Sequence, residues 1–170
     1  MLFQDFLHPD GFFIRKINRK SDWESEDGDI DGIVPKIFEF SESDKYSLYW
    51  AIDTPTLEAV LGGLVLNRAH LQNIDLLLFT LAELDEIGIE IIDSPGDTPC
   101  GLANHLHVDI RCDRNQLREL CILAKSKQRG SSRISKKKVL TELKKNLLND
   151  LCSTEECVRC KIEFPEIPRQ

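Results

Sequence analysis

With 170 residues, 41% of them hydrophobic and 30% charged, the chain has the composition of an ordinary globular protein and a length that suits one core. The longest apolar run, Ala59 to Leu66, is broken by Gly62 and Gly63 and is far shorter than the roughly 18–20 residues of a bilayer span, so no membrane role is expected. The net charge of −7 is uneven: residues 1–120 carry 10 basic and 23 acidic side chains, a net of −13, whereas residues 121–170 carry 12 and 6, a net of +6. An acidic body of that kind repels nucleic acid, and only the C-terminal part attracts it.

The start, Met1-Leu2-Phe3-Gln4-Asp5, places no basic segment ahead of an apolar one. The expectation is a cytoplasmic protein whose six cysteines are reduced thiols or metal ligands. After a His8-Pro9-Asp10-Gly11 turn, Phe12-Phe13-Ile14 reads as a short strand or helix edge. Residues 21–32 are acidic and nearly free of apolar groups, as a loop is. Lys36 to Phe40 and Leu48 to Ile52 are β-branched and aromatic runs that read as two antiparallel strands. Thr54 as cap and Pro55 as first helical residue open a short helix, Leu57 to Leu61, that Gly62-Gly63 end.

The stretch from Phe79 to Lys127 carries the most consistent signals. Ile74 to Phe79 is an apolar run of strand length, and Thr80 with Glu83 has capping-box spacing for a short helix that Gly88 ends. Ile89 to Asp93 reads as a strand, and Ser94-Pro95-Gly96-Asp97 as a turn. Leu106, Val108, Ile110 and Cys112 then alternate with polar residues, as a half-buried strand requires. Asp113 and Gln116 repeat the capping logic for a helix whose Leu117, Leu120, Cys121 and Ala124 form one apolar stripe. Past a polar linker, Ser135 caps a helix reaching about Leu151, with a stripe of Leu140, Leu143, Leu147 and Leu151.

Four constellations bear on chemistry. The strand's period of two puts His105, His107 and Asp109 on one face, with the spacing of ligands to a shared zinc ion in a metal-dependent hydrolase or nuclease. The text also begins like the His-x-His-x-Asp-His signature of the metallo-β-lactamase superfamily, but Ile110 stands at the last histidine and the later ligands are missing. Asp27, Asp29 and Asp31 before Gly32 match the first half of a calcium loop, although position 12 is Phe38. Cys152, Cys157 and Cys160 have the spacing of the first three ligands of a plant-type iron–sulfur loop, or of a zinc site completed by a distant Cys or His. Finally, Lys125, Lys127, Arg129, Arg133, Lys136, Lys137, Lys138, Lys144 and Lys145 face one acid, Glu142, over 21 residues. Such a density binds a protein partner or nucleic acid, or docks on the protein's own acidic surface.

The order of His8-Pro9, Pro35-x-x-Phe38, Glu83-x-x-x-x-Gly88, Pro95, Cys100 and His107-x-x-Ile110 before a Leu-rich helix resembles a group of small bacterial proteins. These are thought to be accessory parts of larger gene clusters, including defence or conflict systems, and the likeness covers roughly residues 5–125. It implies a bacterial, cytoplasmic accessory protein with no activity to carry over. The expected fold is α+β. It is one domain with a small mixed sheet of strands near 36–40, 48–52, 74–79, 89–93 and 106–112, helices packed on one face, a core ending at Lys127, and a basic, Cys-containing arm over 128–170.

Overall fold

The structure, a computed structural model, describes residues 10–17, 30–38, 44–64, 73–97, 101–127 and 133–148. Alternating burial sets the sheet. In β1 (Phe12–Ile17), Phe13 and Ile17 are buried on one face and Ile14 on the other. β2 (Lys45–Ala51) and β3 (Ile74–Phe79) divide their apolar side chains in the same way. β4 (Glu90–Asp93), β5 (His107–Arg111) and a two-residue β6 (Arg133–Ile134) bring the strands among the described residues to six, in the order β4-β5-β2-β1-β3-β6. Gly11, at φ 72°, leads into β1 where a Cβ would lie 2.6 Å from the Ala51 carbonyl oxygen, so that close approach requires glycine.

Both sheet faces are buried under helices. Against one lie α1 (Ile30–Ile37), α3 (Leu81–Ile87) and α5 (Arg114–Lys127), which supply Val34, Leu84, Leu117, Leu120, Cys121 and Ala124 to a core with Phe13, Leu48, Phe79 and Ile110. Against the other lie α2 (Thr54–Gly63), α4 (Gly101–His105) and α6 (Lys136–Leu148), which supply Leu57, Val60, Leu61, Ala103, Val139 and Leu143 to a core with Ile14, Tyr49, Ile74 and Leu76. Odd-numbered helices thus serve one face and even-numbered helices the other. The α+β class expected from the sequence stands. The sheet, however, is antiparallel in every pairing rather than mixed, and helices cover two faces rather than one.

Several elements depart from the sequence reading. Lys36 and Ile37, within the strand expected over 36–40, instead end α1: Ile30, Val34 and Phe38 recur at helical spacing, and the last two are buried, while residues 39 and 40 lie outside the described residues. Asp53 rather than Thr54 caps α2, its Oδ1 accepting from the Thr56 N–H at 2.8 Å, while the Thr56 hydroxyl accepts from Asp53 N–H at 3.0 Å. That backbone hydrogen bond, with one from the Thr56 hydroxyl, holds the Asp53 carboxyl below its ordinary pKa. α4 occupies part of what reads as a loop. A boundary at Lys127 does not separate an arm from the core, because β6 pairs with β3 and α6 buries Val139 and Leu143 completely. Leu140 is only half-buried beside them, and the side chain of Leu147 and all of Leu151 lie outside the described residues. Among the described residues, no helix is long and apolar enough to cross a membrane.

Candidate functional site

Local hydrogen bonds fix where α6 begins. The Ser135 hydroxyl accepts from the Lys138 N–H at 3.3 Å, as an N-cap does, and the Asn73 side chain, just ahead of β3, accepts from the Lys136 N–H at 2.9 Å. Ile134 and Ile74 pair across β6 and β3, so the helix is tied to the sheet edge at its first turn. Val139 and Leu143 then turn one side of α6 into the core. With 100° per residue, that rotation sends Lys137, Thr141, Lys144 and Leu148 to the opposite side, and all four are exposed. Lys136, at the first position, is exposed as well.

The flank of α6 toward α2 is organised differently. Lys138, Glu142 and Lys145 follow one another at i, i+4 and i+7, and Glu58 of α2 faces them. Lys138 Nζ lies 2.5 Å from Glu142 Oε1 and 3.8 Å from Glu58 Oε1, and Lys145 Nζ donates to Glu58 Oε2. The hydrogen bond to Glu58 holds the Lys145 ammonium above its ordinary pKa. Glu142 is only 2% exposed, and its Oε2 receives no hydrogen bond from the described residues, Lys145 Nζ being 3.9 Å away. A buried carboxylate is tolerated here because two ammonium groups flank it.

The chain therefore carries the run Lys136-Lys137-Lys138 and the pair Lys144-Lys145, in which the pairs Lys137-Lys138 and Lys144-Lys145 stand seven residues apart. The first lysine of each pair is exposed and has no carboxylate partner within salt-bridge distance among the described residues, and the second is held by Glu58 and Glu142. At 1.5 Å of rise per residue, the two outward cations stand about 10.5 Å apart along the axis. Of the other basic positions, Lys125 is half-buried on α5, Lys127 and Arg133 lie in α5 and β6, and Arg129 falls outside the described residues.

The strand pattern that put His105 and His107 on one face does not hold. His105 ends α4 and is exposed, whereas His107 and Asp109 lie on β5, because the strand begins two residues later than His105. His107 Nδ1 is 2.5 Å from the Ser94 carbonyl oxygen, and its ring meets Tyr49 edge-on at 5.2 Å. Asp109 accepts from the Ser47 hydroxyl at 3.3 Å on the neighbouring strand. Asp31 sits in the first turn of α1, 3.4 Å from Arg118 Nε, and Gly32 continues the helix rather than turning a calcium loop. Asp27, Asp29, Cys152, Cys157 and Cys160 lie outside the described residues. Among the described residues, no three His, Cys, Asp or Glu side chains gather as a metal would need.

Glu58 and Asn73 are the participants that sequence reasoning missed. The heptad spacing of the two Lys-Lys pairs around Glu142 signals two lysine rows, but nothing local to α2 shows that Glu58 completes one of them. No protein-family model, curated protein or solved structure matches this chain.

Proposed function

We propose that the protein is a non-enzymatic accessory protein that binds the phosphate backbone of a nucleic acid through the outward face of α6. The observation that carries this reading is the exposure of Lys137 and Lys144 on the outward face, and of Lys136 at the first position, of a helix otherwise fixed to the core. Fold stability gives no reason for two of them. Lys136 and Lys137 occupy the first turn, at the positive end of the helix dipole, where a cation is unfavourable by roughly 0.3–1 kcal/mol. A phosphodiester backbone is the partner such point charges suit, and the acidic body keeps the contact confined to this face. The described outward face of α6 carries no aromatic side chain, so base stacking adds nothing and the binding lacks sequence preference.

The test is fluorescence-anisotropy titration of labelled DNA and RNA across a salt series. Wild-type binding is expected to weaken steeply with salt, because each neutralised phosphate releases condensed counterions. Lys136→Glu, Lys137→Glu and Lys144→Glu together should abolish it and leave the melting temperature within about 2 °C, as exposed substitutions do. Lys138→Glu is the contrast: it sets a third carboxylate against Glu58 and Glu142 and should unfold the protein more easily. Retention of binding by the triple variant would overturn the reading, as would binding that is insensitive to salt.

A further inference from the structure

The inner lysine row has the same spacing as the outer one, yet its charge is spent within the protein. Lys138 and Lys145 are 38% and 53% exposed, so solvent and a ligand reach both of them, while Glu58, at 14%, lies beneath. Glu142 alone would leave this flank with two cations and one anion. Glu58 brings it to neutrality from a different helix, Lys145 being hydrogen-bonded to it. We propose that Glu58 is an internal counter-anion that restrains the nucleic-acid face, holding Lys138 and Lys145 back from phosphate and so setting how tightly and how salt-sensitively α6 binds.

The inference rests on the reading of α6 as a phosphate-binding face and adds its regulation. A phosphate within reach of α6 competes with the Glu58 carboxylate for the same ammonium protons. At low salt the Coulomb attraction of a polyanion is largest. Lysines drawn off Glu58 then add to the number of phosphates neutralised, and the exchange reverses as salt rises. The residue that limits binding therefore stands on α2, outside the basic segment itself.

Glu58→Gln tests this, because the amide keeps the size and accepts a hydrogen bond but removes the charge. Two measurements are made on the full chain. The first is amine acetylation followed residue by residue by mass spectrometry, with no nucleic acid present. In the wild type, Lys145 should react several-fold more slowly than Lys144, its neighbour, which is also exposed, and in Glu58→Gln the two rates should converge. The second is anisotropy titration with a single-stranded oligonucleotide and with duplex DNA. Glu58→Gln should bind about fivefold more tightly at low salt, with a log–log salt slope steeper by roughly 0.9 on duplex. Adding Lys145→Gln to Glu58→Gln should remove that gain, which separates released charge from a general loosening of the fold. Wild-type binding that Glu58→Gln leaves unchanged overturns this inference and leaves the proposed function standing. Absence of binding by both proteins overturns both. Equal acetylation of Lys144 and Lys145 in the wild type shows that no restraint exists and overturns the inference alone.

Discussion

Lys137 and Lys138 are neighbours in sequence and stand about 100° apart around α6, so one meets solvent and the other meets Glu58 and Glu142. Residue identity alone does not separate them; their angle to Val139 and Leu143 does. The same holds for cysteine. Cys112 and Cys121 are fully buried in the core under α5, and burial pushes both thiols up to about 12 from an ordinary 9.0. Since the native state keeps these protons and the unfolded state releases them above pH 9, stability should fall as pH rises from about 9 toward 12. Melting curves across that range check the sign, and Cys121→Ala should flatten the fall while lowering stability at pH 7. Mass-spectrometric alkylation at pH 8 should find both cysteines unmodified in the native protein and modified in denaturant.

Elements whose ends are set by neighbouring residues form where their sequence places them. α3 carries the capping box read from its sequence, with Thr80 Oγ1 accepting from the Glu83 N–H at 3.3 Å and Glu83 Oε2 accepting from the Thr80 N–H at 2.8 Å. Gly88 ends it at φ 75°, and Asp113 with Gln116 caps α5 by the same reciprocal pair. Thr80→Ala should therefore lower stability by about 1 kcal/mol, read as a drop of a few degrees in the melting temperature, and an unchanged melt would show that the box contributes nothing. Around α1 a short apolar run favours a strand locally, while the decisive burial of Val34 and Phe38 depends on what they pack against. His105 was misplaced for a related reason. The alternation from Leu106 to Cys112 was legible, but the start of β5 is set by its pairing with β2, which runs from Tyr49–His107 to Lys45–Arg111.

For the whole molecule, the C-terminal segment decides integrity. Ile134, Val139 and Leu143 are 8%, 0% and 0% exposed within the second core, so a chain ending at Lys127 uncovers Ile14, Leu61 and Ile74. Burial of an aliphatic side chain stabilises by roughly 1.5–3 kcal/mol, and three such losses approach the roughly 5–15 kcal/mol that holds a domain together. Circular dichroism and thermal melting of the chain truncated after Lys127 should show no cooperative transition. A melt like that of the full chain would mean that the second face is not needed.

What the sequence determined by itself was whatever its neighbours along the chain enforce: the α+β class, the caps of α3, α5 and α6, the apolar stripe of α5, and the contrast between an acidic body and a basic C-terminal stretch. The class, caps and stripe follow from spacings of two to four residues, over which backbone geometry fixes which side chains meet, and the charge contrast follows from composition alone. Only the tertiary structure decided that helices cover both faces, that the basic helix belongs to the core, and that Lys138 and Lys145 are matched by a carboxylate from α2. Those outcomes join residues up to 87 apart, as Lys145 and Glu58 are, and charge and apolar area carry no record in sequence of which distant partner will face them.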